Sequence, residues 1–309
     1  MVTSGATARA FADHAVPGRG RTLADRISGF THGRPRLRLA ALLSAPLTWF
    51  GVAYLAALAA LFVSAFWTID DFTGQIVRVW NVDNFRTLFT EGVYRTITLR
   101  TFGVALAVTA IDALIAFPMA YYMARHASVR AQRALVIATL MPLWASYLVK
   151  AYSWRTMLAD NGVVDWVLRP LGLHTPGYGV TATVMTLSYL WLPYMILPVH
   201  AGLEQIPQSL VEASADLGAR GWRTFRSVIF PAVVPSLIAG SIFTFSLSLG
   251  DYIAVQIVGG TSQMLGNVVY TNVGAANNLP FAATVATVPV VIILLYLFAV
   301  RRTGALDNL

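Results

Sequence analysis

Two aspartates lie inside long apolar runs of this chain, Asp112 near the middle of Ile97 to Met123 and Asp251 near the end of Ala232 to Ile253. A charged side chain at the centre of a membrane helix costs about 2.5–3.5 kcal/mol on insertion scales, so each needs a physical reason. A carboxylate at either place would offset the cost of dehydrating an ammonium group. Tyr252, Tyr147 and Trp144 would add cation–π attraction of about 0.5–2 kcal/mol each. Quieter readings stay open: a polar cap at a membrane interface for Asp251, an interhelical hydrogen bond or ion pair for Asp112, and interfacial anchoring for the aromatic residues.

A second group lies in the polar segment 206–231. Ser209 is followed three residues later by Glu212, a capping-box spacing that predicts the start of a short helix. Gly218 is placed to end it in a left-handed cap. Between them, Ala213, Ser214 and Ala215 are small enough for close approach of a partner surface, while Asp216, Arg220, Arg223 and Arg226 supply polar contacts around it. Alternatively, Glu212 caps and Gly218 ends a surface helix that serves no partner.

Other chemistries find no residues. The chain has no cysteine, which excludes thiolate metal sites and cysteine nucleophiles. Its five histidines are scattered without metal-ligand spacing. Lys150 is the only lysine and follows Val149, so no Gly-x-x-x-x-Gly-Lys phosphate loop exists and the chain cannot bind ATP in that way. No Gly-x-Ser-x-Gly elbow is present either. No cofactor is expected.

The elements that hold these residues are membrane spans. Of 309 residues, 57% are hydrophobic and 12% charged, and the mean hydropathy is +0.64, far from the composition of a soluble domain. Six stretches reach the roughly 20 apolar residues needed to cross a bilayer: Leu42 to Trp67, Ile97 to Met123, Ala134 to Tyr152, Val180 to Gly202, Ala232 to Ile253 and Phe281 to Val300. The net charge of +8 comes from short basic segments between them, which speaks for membrane orientation and against nucleic acid.

Orientation follows from where those charges fall. The Arg-rich segment 1–41, the trio Arg125, Arg130 and Arg133, the trio Arg220, Arg223 and Arg226, and the pair Arg301 and Arg302 lie on one side. The opposite side is nearly balanced, with Asp70, Asp71, Asp83, Glu91, Asp160 and Asp165 against Arg78, Arg86, Arg95 and Arg169. The positive-inside rule therefore places both termini and the loop 203–231 in the cytoplasm. The N-terminal arm also admits an organelle transit peptide as a lesser reading.

Pro118, Pro142, Pro193, Pro198 and Pro289 predict kinks within spans, or span ends at Pro118 and Pro142. Ala282, Ala283, Thr284, Ala286 and Thr287 predict close packing of the last helix.

The segment from Ile206 to Pro231 resembles the cytoplasmic loop motif of ABC importer permeases, in which Glu-Ala-Ala is followed by a spaced Gly and by Ile-x-Leu-Pro. Glu212, Ala213, Ser214, Gly218, Val228, Phe230 and Pro231 occupy those places, with Ser214, Val228 and Phe230 as conservative departures. The stretches Trp80 to Phe85, Phe117 to Arg125, Pro142 to Trp154 and Leu249 to Ile253, with Gly259 to Thr261, are similar to segments of the spermidine/putrescine-type permeases. Permeases for iron, sulfate, thiamine or amino acids share parts of the pattern.

The resemblance implies an all-α integral membrane protein of about six helices, with the type I importer (MetI-like) fold. Residues 42–302 would form the permease domain, with a coupling helix between Ser209 and Gly218 that docks into an ATPase subunit, and 303–309 would be a cytoplasmic tail. It also implies an external solute-binding protein, a second permease half and ATPase subunits as partners, in an inner membrane. Rival expectations are an ion-gradient-driven secondary transporter and a non-transporting membrane assembly subunit.

Overall fold

The computed structural model describes residues 35–70 and 72–301. The Arg-rich arm up to residue 34 and the tail from 302 onward lie outside the described residues. The chain divides at Ala60 into two compact units.

From the first unit, α1 (Pro35–Trp49) runs into a π-helical turn, Phe50–Leu55, and then into α2 (Ala56–Ser64), whose last residues belong to the second unit. Pro46 sits inside α1 and lacks the N–H that would close its helical turn. Four residues on, the backbone adopts the wider turn, with the Ala56 amide donating to the Gly51 carbonyl. Leu42–Ser64 is long and apolar enough to cross a bilayer.

After the end of α2, the second unit continues with a two-residue antiparallel ribbon, β1 (Thr68–Ile69) with β2 (Ile76–Val77). Its remaining elements are helical: α3 (Asp83–Thr90), α4 (Gly92–Arg125), α5 (Val129–Trp144), α6 (Tyr147–Met157), α7 (Val163–Leu168), α8 (Val180–Glu204), α9 (Gln208–Asp216), α10 (Gly221–Thr224), α11 (Phe230–Gly250), α12 (Ile253–Val258), α13 (Leu265–Val273) and α14 (Leu279–Arg301). Gly92–Arg125, Val180–Glu204, Gly221–Gly250 and Leu279–Arg301 are membrane-length apolar helices.

The third expected span, Ala134 to Tyr152, is not one helix. α5 and α6 meet at a 96° bend. Pro142 removes an amide from the last turn of α5. Ala145 (φ −73°, ψ 142°) and Ser146 (φ −53°, ψ 135°) then take extended backbone. The two helices amount to a span only as a bent pair, so the described residues hold five continuous spans, or six with this broken one. Pro118 is interior to α4, seven residues before its end, and is no span boundary.

α4, α8 and α11 form the heart of the second unit. Ala116, Ala120 and Met123 of α4, Met195, Ile196, Val199 and Leu203 of α8, and Val233 of α11 share one buried cluster. Glycine lets α8 and α11 touch: a Cβ on Gly202 would lie 2.0 Å from Ser236 Oγ, and one on Gly240 would lie 3.1 Å from Met195 Cα. Dispersion and close packing must hold such helices together in lipid, where apolar burial supplies no drive. The small stripe of α14 behaves as expected at its first turns, with Ala282, Ala283 and Thr284 buried. Thr284 Oγ1 donates to the Ala65 carbonyl at 3.0 Å.

Candidate functional site

The short helix between Ser209 and Gly218 exists as α9, nine residues long. It starts two residues earlier than the capping box predicts. Pro207 (φ −61°, ψ 137°) occupies the N-cap position, and no side chain caps the first turn. A proline there leaves its carbonyl free for the Leu210 amide, 3.1 Å away, so Ser209 falls inside the helix. Its start is instead fixed from α4. Arg125, the last residue of α4, donates from Nη1 to Gln208 Oε1 at 3.2 Å, and from Nη2 to the carbonyls of Leu203 (3.1 Å) and Ile206 (2.9 Å).

The C-terminal end of α9 forms as its sequence predicts. Gly218 has φ +79°, a left-handed conformation that disfavours any side chain. Its amide donates to the Ala215 carbonyl at 2.8 Å, and the Ala219 amide to that of Ser214 at 3.1 Å, the paired bonds of a Schellman cap. Ser214 Oγ lies 3.0 Å from Thr224 Oγ1, which ties α9 to α10. The outer face stays open: Glu212, Ala213, Ala215, Asp216 and Arg220 are exposed, as are Leu210, Leu217 and Trp222. Pro231 follows a π-helical turn, Phe225–Ile229, within the continuous helix Gly221–Gly250, a wider turn that a residue lacking an amide favours.

At the opposite end of α11, Asp251 and Tyr147 come together across the bend between α5 and α6. The Tyr147 hydroxyl donates to Asp251 Oδ2. The other carboxylate oxygen accepts the Ala254 amide at 2.9 Å, which anchors the first turn of α12. Asp251 is buried. Tyr252 stacks on Tyr270 with ring centroids 4.8 Å apart, and its carbonyl accepts from Asn267 Nδ2 at 3.0 Å. Trp144 does not join the cluster: it is 85% exposed, on the far side of the bend from Tyr147. The aromatic neighbour is Trp191 of α8, 6.0 Å from the Tyr147 ring. Its Nε1 is buried without a partner.

Asp112 is fully buried, and neither carboxylate oxygen has a hydrogen-bond partner. Ser188 of α8 is close enough to act on it electrostatically, yet its hydroxyl also lacks a well-formed hydrogen bond. Ser188 and Trp191 are three positions apart, so both lie on one face of α8. That face links Asp112 in the core to Tyr147 and Asp251. No ion pair to Asp112 forms among the described residues. Among these residues there is also no cluster of three or more side chains able to hold a metal ion.

Sequence reasoning missed Arg125 and Trp191 as members of these sites. For Trp191, an indole in an apolar span was the available signal. For Arg125, the only signal was a basic residue at a span end, which orientation already explained.

This arrangement of spans with a capped helix projecting between the fourth and fifth is that of the type I importer permeases. The structure aligns with a bacterial ABC transporter involved in the import of the acidic polysaccharide alginate at a TM-score of 0.66 and 18% identity, over 90% of this chain and 99% of that one. It aligns with the MetNI methionine ABC transporter at a TM-score of 0.51 and 22% identity, over 69% and 97%.

The chain belongs to the binding-protein-dependent transport system inner membrane components, whose family model matches residues 116–302. It is 45% identical over 302 residues to the inner membrane ABC transporter permease protein YdcU of Escherichia coli strain K12, covering 92% of this chain and 95% of that protein. It is 28% identical over 233 residues to the spermidine/putrescine transport system permease protein PotB of Haemophilus influenzae, covering 74% and 80%. The chain is thus a multi-pass inner-membrane permease subunit and not itself an ATPase.

Proposed function

We propose that this permease moves a polyamine of the spermidine/putrescine kind, received from an external binding protein and driven by separate ATPase subunits that dock on α9. Residues 42–302 would be the permease domain, paired with a second, non-identical permease half, with both termini and the loop 203–231 in the cytoplasm. The observation that carries the docking role is the construction of α9. Arg125 holds its start, a glycine cap fixes its end, and small residues lie exposed between them. A helix held at both ends can transmit a push; a frayed one dissipates it.

The cationic substrate is supported by the similarity to PotB proteins and by the line of groups from Asp251 through Tyr147 and Trp191 to Ser188 and Asp112. Carboxylates flanked by aromatic faces suit an ammonium group that must shed water.

The Gly218→Val variant tests the docking role. Nothing lies within 4 Å of a Cβ built there, so the substitution acts through its positive φ and not through a clash. Forcing a left-handed conformation on a side-chain-bearing residue costs about 1–2 kcal/mol, more for a β-branched one. In reconstituted vesicles the variant is expected to insert normally while uptake and uptake per ATP fall. Normal coupled uptake would overturn the assignment.

A further inference from the structure

Gln132, His200 and Glu204 belong neither to α9 nor to the Tyr147–Asp251 cluster. With Arg133 they line an open groove of about 600 Å³ between α5 and α8, whose apolar wall is Val129, Val136 and Ile137. Gln132 Nε2 donates to Glu204 Oε1 and lies 3.3 Å from His200 Nε2. His200 Nδ1 lies 3.7 Å from Glu204 Oε2. The Glu204 carboxylate is therefore held in a fixed position, with its side chain 49% exposed. Arg133 is exposed and forms no ion pair among the described residues. The groove thus presents one positive and one negative group that do not neutralise each other.

Its position in the chain says what can reach it. Gln132 is in the first turn of α5 and Glu204 is the last residue of α8. The polar end of the groove therefore sits where hydrocarbon gives way to headgroups, and the apolar wall runs from there along a membrane helix. We propose that this groove binds a phospholipid with a primary-amine zwitterionic headgroup, phosphatidylethanolamine. Its phosphate pairs with Arg133, its ammonium donates to Glu204, and an acyl chain follows Val136 and Ile137, deeper along α5.

The chemistry discriminates among lipids. Phosphatidylcholine has no N–H to donate, and phosphatidylglycerol can pair its phosphate with Arg133 but has no ammonium to set against the Glu204 carboxylate. A charge-assisted hydrogen bond is roughly twice as strong as a neutral one, so the ammonium contact should dominate the preference. The proposal needs only that the chain lies in a bilayer, so it stands or fails apart from the substrate and from α9.

Native mass spectrometry of the intact transporter, with equal amounts of the three lipids added, tests it. Phosphatidylethanolamine is expected to be retained over the other two, and Glu204→Gln to reduce that preference roughly tenfold. Arg133→Gln should weaken phosphatidylethanolamine and phosphatidylcholine alike. Equal retention, a preference for phosphatidylglycerol, or a preference that survives Glu204→Gln would overturn the proposal.

A second measurement avoids any folding defect in the variants: the unfolding midpoint of the unaltered transporter should rise more with phosphatidylethanolamine than with phosphatidylcholine, and equal shifts would count against the site. The chain has no native cysteine, so a single Val129→Cys can be cross-linked cleanly. Its capture by a partner polypeptide in the complex would show the groove to be covered by protein and would also overturn the proposal.

Discussion

The Arg125 guanidinium donates to the Ile206 carbonyl at 2.9 Å, between residues 81 positions apart in the chain. With its bonds to Leu203 and Gln208, this side chain joins the end of α4, the end of α8 and the start of α9. Carbonyls at a helix C-terminus have no intrahelical partner, and a planar guanidinium can serve several at once. In the proposed docking role, a force applied to α9 would thereby reach two spans together.

Arg125→Lys keeps the charge but loses the fork, so it cannot reach three acceptors. Hydrogen bonds to charged groups are worth about 1.5–3 kcal/mol each. Losing even one is expected to lower uptake roughly tenfold at unchanged membrane abundance, with ATP hydrolysis less affected. Uptake and hydrolysis measured together in vesicles check this; a proportional loss of both would point to a folding role alone.

The Tyr147 hydroxyl and the Asp251 carboxylate act as one unit, so their variants should not add. Tyr147→Phe removes a donor from a buried carboxylate, and Asp251→Asn removes the charge. Groups in direct contact show coupling energies of about 0.5–3 kcal/mol. The double variant is expected to take up a labelled polyamine little worse than Asp251→Asn alone. Strict additivity in the four-way comparison would show that the two residues work separately.

A pH dependence is expected in the segment between α6 and α8. The Thr175 amide (3.3 Å) and the Arg169 guanidinium (2.8 Å) hold the Asp165 carboxyl below the usual carboxylate range, with exposed His174 3.8 Å away. A depressed value in the folded state means that the stabilisation is present above the unfolded value of about 3.9. It is lost as pH falls through the folded value. Protection of residues 158–178 against hydrogen exchange, taken relative to the intrinsic rate at each pH, should therefore fall below about pH 4, and Asp165→Asn should flatten that dependence. An unchanged profile in the variant would assign the acid sensitivity to other groups.

What could be read from the sequence divides along physical lines. Spans were legible because crossing hydrocarbon demands an unbroken apolar run, and α4, α8, α11 and α14 supply it. Gly218 was legible because a left-handed residue nearly names itself. The bend between α5 and α6 was not, because the run through Ala145 and Ser146 stays apolar enough to read as continuous, and Pro142 alone does not set the angle. Arg125 was hidden because two of its three acceptors are backbone carbonyls, which leave no mark in residue type. The pairing of Tyr147 with Asp251 depends on that same bend, which also carries Trp144 away from them.

Whether α9 meets an ATPase subunit on the cytoplasmic face can be read by cross-linking. Ala215 is exposed on that helix, and in a chain without cysteines the Ala215→Cys variant carries a single thiol. A short bifunctional reagent is expected to join it to the ATPase subunit, and only a membrane-permeant label to reach it in sealed cells. Labelling by an impermeant reagent from outside, or the absence of any ATPase adduct in an assembled transporter, would contradict the docking of α9.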